Sequence, residues 1–117
     1  MKESKLYLYV WQHKFVDPDT DQIDTRVCFG ITGDLDNRQN GYEGHVGHTV
    51  RFAATWSGPN RVIRELENRI KTDFRDYLWH GHRGYEYEWL HGIDLKRLID
   101  YLEWEIESVG TVERTSG

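Results

Sequence analysis

The sequence predicts an α/β domain of the α+β kind, with a mainly antiparallel three-stranded sheet flanked by three helices. Three observations lead there. Tyr7, Tyr9 and Trp11 alternate with Leu6, Leu8 and Val10, the period of two that a strand imposes. Ile63, Leu66, Ile70, Phe74 and Tyr77 recur at helical spacing and form one apolar stripe. Strand-like and helix-like segments then follow without strict βαβ alternation, which gives a small layered domain. At 117 residues the chain builds one core rather than two. Residues 1–107 read as that domain, and 108–117 as a flexible polar tail or the start of a linker.

The first strand covers residues 5–13 and is followed by an acidic loop, Asp17-Pro18-Asp19-Thr20-Asp21. The aspartate spacing mimics the start of a calcium loop, but Gln22 and Cys28 replace the required glycine and glutamate, so calcium is rejected there. A second strand spans 25–31, closed by Thr32-Gly33-Asp34. A short helix then runs to about Gln39, ended by Asn40-Gly41, with Leu35, Arg38 and Tyr42 on one face. The third strand covers about Thr49–Trp56, and Ser57-Gly58-Pro59 opens the main helix with proline in its first turn.

On that main helix Glu67 lies about 70° from the centre of the stripe, whereas Glu65 lies about 130° away. Glu67 is therefore held at the edge of the core, and Glu65 faces water. Residues 85–91 read as extended. The last helix begins at Asp94, with an Ile93–Leu98 staple, and runs to about Glu107.

Composition narrows the function classes. Hydrophobic content of 38% with 14% aromatics fits a globular chain. No apolar run approaches the roughly 20 residues of a spanning helix. Met1-Lys2-Glu3-Ser4 lacks the apolar core of a signal peptide, so a cytoplasmic location is expected, the host cytoplasm for a phage-encoded chain. The single cysteine, Cys28, excludes an intrachain disulfide and a multi-cysteine zinc site. The net charge of −5 opposes strong non-specific DNA binding by this domain alone. Residues 61–83, however, carry six basic against four acidic side chains, and Arg61, Arg64 and Lys71 are the candidates to face phosphates.

Several short pieces stand in a telling order. Leu8-Tyr9 lies on the first strand, Cys28-Phe29-Gly30-Ile31-Thr32 on the second, Arg38 eight residues after the glycine, and Leu66-Glu67 on the main helix. Together they resemble the GIY-YIG endonuclease domain over about residues 5 to 90, a family that cuts nucleic-acid phosphodiesters. Glu88-Trp89-Leu90 is similar to a Glu-Trp-Phe signature of the subfamily common in phage genomes, which implies a phage or mobile-element origin. The resemblance implies Arg38 as the catalytic arginine, Glu67 as the metal-binding glutamate, and Tyr9 as the base. Tyr42 falls near a position often held by His or Tyr. Cys28 departs from the pattern, because the second motif tyrosine belongs there; Tyr7, on the same strand face as Tyr9, is the candidate substitute.

The chemistry asks for these residue types. A hard cation, Mg2+ or Mn2+, held by carboxylate oxygen neutralises charge on the phosphate. A guanidinium grips phosphate oxygens in a bidentate fork. A phenol near positive charge can take a proton from the attacking water. Gly30, His45 and His48 are supporting candidates, the histidines as phosphate contacts or hydrogen-bond partners near Arg38. A zinc site from His45, His48, His80 and His82 is set aside, since loop histidines without fixed spacing more often bind nothing. Taken singly, each residue also has an ordinary role: Glu67 paired with Arg64 or Lys71, Arg38 with Asp34, the tyrosines as strand aromatics.

The expected function is thus a metal-dependent DNA endonuclease domain. Its target choice would come from a fused or separate DNA-binding module, or from a homodimer. The alternative is a catalytically silent module of the same kind that binds DNA or a protein, and a third is an unrelated α/β interaction domain.

Overall fold

A computed structural model describes residues 5–16, 19–46, 49–80 and 86–116. The tyrosine-rich segment forms β1 (Lys5–Val16), which pairs antiparallel with β2 (Ile23–Thr32) from Tyr7 opposite Thr32 to Val16 opposite Ile23. Helix α1 (Leu35–Val46) follows, then β3 (Ala54–Pro59), which pairs with the other edge of β1 over Lys5–Val10. Helix α2 (Asn60–Asp73) leads through a 3-10 turn into β4 (Leu78–His80) and β5 (Glu86–Leu90). Helix α3 (Leu95–Val109) and β6 (Glu113–Ser116) complete the chain. The strand order is β4-β5-β2-β1-β3-β6, and every pairing is antiparallel.

The α+β class and the antiparallel sheet agree with the sequence reading, but the sheet holds six strands where three were expected. Two of the additional strands are short and follow α2: β5, in the stretch 85–91 already read as extended, joins β2 at Val27–Leu90 and Cys28–Trp89, and β4 joins β5. The third comes from the segment read as a polar tail. There β6 pairs with β3, Val112 is buried, and the hydroxyls of Thr55 and Thr115 bond at 2.7 Å. Arg114 adds a second tie. It lies 5.8 Å over the buried Trp56 ring and donates to Glu103 Oε1 at 2.7 Å.

Several boundaries also move: β1 runs on to Val16 rather than residue 13, and β3 begins at Ala54 rather than about Thr49. Helix α1 continues through Asn40-Gly41 to Val46, because Gln39, Tyr42 and Glu43 all make tertiary contacts that outweigh the roughly 1 kcal/mol cost of an internal glycine. Ser57-Gly58-Pro59 belongs to β3, and Pro59 caps α2 rather than standing in its first turn. The N-terminus of α3 is at Asp94 as expected, although its side chain makes no cap hydrogen bond.

Strand alternation divides the interior in two. Leu8 and Val10 point to one face, where they pack with Phe29, Trp56, α2 (Ile63, Leu66, Ile70) and α3 (Leu98, Leu102). Tyr9 and Trp11 point to the other, where they meet Cys28, Val50, Tyr42 and Leu35 under α1. On the first side α2 and α3 are tied by Arg69, which bonds Glu65 and Glu105, and by the Tyr101 hydroxyl donating to Asp73.

Close packing at the β3–β6 seam makes a test. A methyl group at Gly58 would stand 2.8 Å from Val112 Cγ2 and 3.4 Å from the Thr111 carbonyl oxygen. Gly58→Ala should therefore lower stability by about 1–3 kcal/mol in urea unfolding, and an unchanged midpoint would mean that Val112 does not seat there. A second test concerns the hairpin. The backbone N–H of Thr25, and then His91, hold the Asp24 carboxyl below its usual 3.8, with His91 Nε2 at 2.7 Å. A depressed carboxyl stabilises above its unfolded value and loses that contribution as the pH falls through the folded one. Asp24→Asn should melt below the unmodified chain at pH 6, and the two curves should converge in acid.

Candidate functional site

Tyr9 is fully buried, and its hydroxyl bonds that of Tyr42 at 2.8 Å. The two residues lie 33 positions apart, so the contact depends on α1 folding back over the sheet. Phe52 stacks on the Tyr9 ring at 4.6 Å and 23°. Trp11 packs against Tyr42 at 5.0 Å, and Trp89 stands 5.9 Å from Trp11. Gly30 lies directly opposite Tyr9, and Cys28 opposite Trp11, buried on the same face. Tyr7 is half-buried two residues before Tyr9. Tyr9, Tyr42, Cys28 and Gly30 are thus brought together.

Arg38 rides on α1 and is exposed. Asp34, its obvious partner, is used otherwise. Its Oδ1 accepts the backbone N–H of Asn37 at 3.0 Å and caps the helix, while its carbonyl accepts the Arg38 main-chain N–H at 3.1 Å. Among the described residues the Arg38 guanidinium makes no hydrogen bond or ion pair.

Glu67 behaves as its helical position requires. It is 9% exposed, whereas the side chain of Glu65 is 59% exposed and paired with Arg69. Its Oε1 is 3.7 Å from Lys71 Nζ, and its Oε2 is buried with no hydrogen-bond partner among the described residues. Arg64 turns away to Asn60 Oδ1 at 2.7 Å. Arg64, Glu67 and Lys71 share one side of α2 at i, i+3 and i+7, and Arg61 is exposed in the first turn.

The two halves of the candidate site lie on opposite faces of the sheet. Helix α2 packs on the Leu8–Val10 face, while the Tyr9 ring and α1 occupy the opposite face. No hydrogen bond or ion pair among the described residues joins Glu67 or Arg38 to the tyrosine pair. The side chains of His45, His80 and Glu88, and the whole of His48 and His82, lie outside the described residues.

A cation has a narrow choice of holders. Among the described residues no three His, Cys, Asp or Glu side chains gather as a metal cluster. Glu67 offers one carboxylate with an unbonded oxygen. That fits a hard, reluctantly dehydrated ion such as Mg2+, which keeps most of its waters and takes one or two carboxylates with substrate oxygens.

Sequence reasoning missed the supports of the tyrosine pair. Gln39 and Glu43 hold the main chain of Val50, at 2.6 Å and 2.8 Å, and Phe52 covers Tyr9. The i, i+4 spacing of Gln39 and Glu43 was the available signal, hidden by ending the helix at Gln39.

A buried carboxylate oxygen without a partner costs stability. Glu67→Leu should raise the unfolding free energy by about 1 kcal/mol or more in urea titrations without metal. A loss of stability would show that Oε2 is satisfied in solution. No protein-family model, curated protein or solved structure matches this chain.

Proposed function

We propose that the chain is a divalent-metal-dependent nucleic-acid phosphodiesterase of the GIY-YIG kind, a DNA endonuclease domain. The observation that carries this reading is Glu67 itself. A carboxylate 9% exposed, with one oxygen unbonded and two basic residues on the same side of its helix, suits a hard cation and the phosphate beside it. The ordinary alternative for Arg38 also fails, since Asp34 caps α1 instead of pairing with it. A surface guanidinium that no described residue engages suits bidentate contact with phosphate oxygens. Bound at Glu67, Mg2+ or Mn2+ would neutralise charge that develops on the phosphate.

One observation favours a second reading, a silent module of the same family that binds DNA or a protein without cutting. The Tyr9 phenol is fully buried against Tyr42, on the face of the sheet away from α2. A general base must come within hydrogen-bond reach of the water it deprotonates.

Nicking of supercoiled plasmid with Mg2+ or Mn2+ separates the two. The nuclease reading expects cutting by the unmodified chain and a loss of about 100-fold or more in Glu67→Ala and in Arg38→Ala, with unchanged melting profiles. DNA retarded on a gel yet never nicked would establish the silent module and end the nuclease reading.

A further inference from the structure

The chain holds 20 acidic residues, yet none lies between Glu43 and Glu65. Within that stretch, residues 50–53 lead into β3, and their main chain is anchored at both ends. Gln39 Nε2 donates to the Val50 carbonyl at 2.6 Å, and the Val50 N–H donates to Glu43 Oε2 at 2.8 Å. The Ala53 N–H donates to the Val10 carbonyl at 2.8 Å. Val50 is buried, and Phe52 stacks on Tyr9. Arg51 lies between these anchors and is exposed.

Three other arginines are engaged by the protein. Arg69 is held by Glu65 and Glu105, Arg114 by Glu103, and Arg64 by Asn60. Arg51, among the described residues, makes no side-chain hydrogen bond or ion pair. It is a cation that no described residue neutralises, on a preset main chain and one residue from the ring that covers Tyr9. Glu43, the acidic residue that anchors this segment, spends an oxygen on the Val50 N–H.

We propose that Arg51 is a phosphate-binding residue that holds the backbone of a nucleic acid beside the Tyr9–Tyr42 pair. This rests on the phosphodiester reading above and adds a residue to it. The ligand class follows from the chemistry of the side chain: a guanidinium fork matches two phosphate oxygens, and an anchored main chain lowers the cost of ordering it on binding. The role is positioning, through charge and geometry; no bond is made or broken at Arg51.

The test is binding of labelled duplex DNA, single-stranded DNA and RNA in EDTA, followed by fluorescence anisotropy across a salt series. Arg51→Ala should weaken binding about 5- to 10-fold, and the slope of log K against log salt should fall by about one. Arg51→Lys should keep the slope and lose part of the affinity, since charge remains and the fork does not. Arg75→Ala, which removes an exposed cation from the turn after α2, serves as the control and should leave the slope unchanged. Equal behaviour of Arg51→Ala and Arg75→Ala, with binding intact in the unmodified chain, overturns the role of Arg51 alone. Absence of binding to all three nucleic acids by the unmodified chain overturns the phosphodiester reading and this proposal together.

Discussion

The rest of the structure depends on the double burial of β1. Leu8, Tyr9 and Val10 are each 0% exposed and Trp11 is 1% exposed, so four successive side chains are withdrawn from water. Successive residues of a strand point to opposite faces, so such a run requires cover on both sides. α2 and α3 supply one cover, α1 with the Val50–Phe52 segment the other. A slip of one residue in β1 would exchange Tyr9 with Leu8. It would place a phenol among Ile63, Leu66 and Ile70 and deprive Tyr42 of its partner. Register is thereby set twice, once by apolar packing and once by a hydrogen bond.

The same division decides where chemistry can reside. On the α1 side several polar groups are bonded to one another, Tyr9 to Tyr42 and Gln39 and Glu43 to Val50, although the buried Trp11 Nε1 has no hydrogen-bond partner among the described residues. These contacts rigidify a helix that carries glycine at 41 and 44 and has little intrinsic strength. On the α2 side Glu67 is different. Its helix is strongly amphipathic and anchored by Ile63, Leu66 and Ile70, so it can hold a carboxylate at the rim of the core without satisfying it. Stability lost at a retained polar group is a common mark of a functional position. A well-packed helix tolerates that loss; α1, which relies on its polar contacts, would not.

Much of this was legible in the sequence, and the failures have physical causes. The alternation of Leu6 to Trp11 revealed β1 because both faces are buried and the period is undisturbed. The stripe on α2 put Glu67 at the core edge and Glu65 in water, since a regular helix makes orientation a matter of arithmetic. β6 was illegible. Glu-Arg-Thr-Ser has no apolar alternation, and it is a strand only because β3 offers an edge and Val112 a foothold. The length of α1 was hidden because Asn40-Gly41 is a local stop signal that distant contacts override. For the candidate site, the setting of Glu67 at the rim of the core could be read, whereas the full burial of Tyr9 and the use of Asp34 as a helix cap beside Arg38 could not. Nor could the mutual placement of Tyr9, Arg38 and Glu67, because which face a helix covers is a property of long-range topology rather than of spacing along the chain.

Charge adds the last constraint on how an anion could approach. The net charge is −5, and residues 84–117 alone hold eight acidic side chains against three basic. In that part Glu103 is bound by Arg114, Glu105 by Arg69 and Asp100 by Lys96. These pairs draw cations to α3 and leave no surplus there to attract a phosphate. The surplus lies elsewhere, on an exposed Arg38 and along the acid-free stretch from residue 44 to residue 64 that includes Arg51, Arg61 and Arg64. This stretch joins the two compartments, since it begins under α1 and ends in the first turn of α2. Under the proposed function, a polyanion would approach along this stretch, where the chain crosses from the tyrosine face to the glutamate face and carries no acidic residue. That crossing is also where the two halves of the candidate site come closest in sequence, and salt-dependent attraction there is one source of electrostatic support for the phosphate binding proposed for an acidic domain.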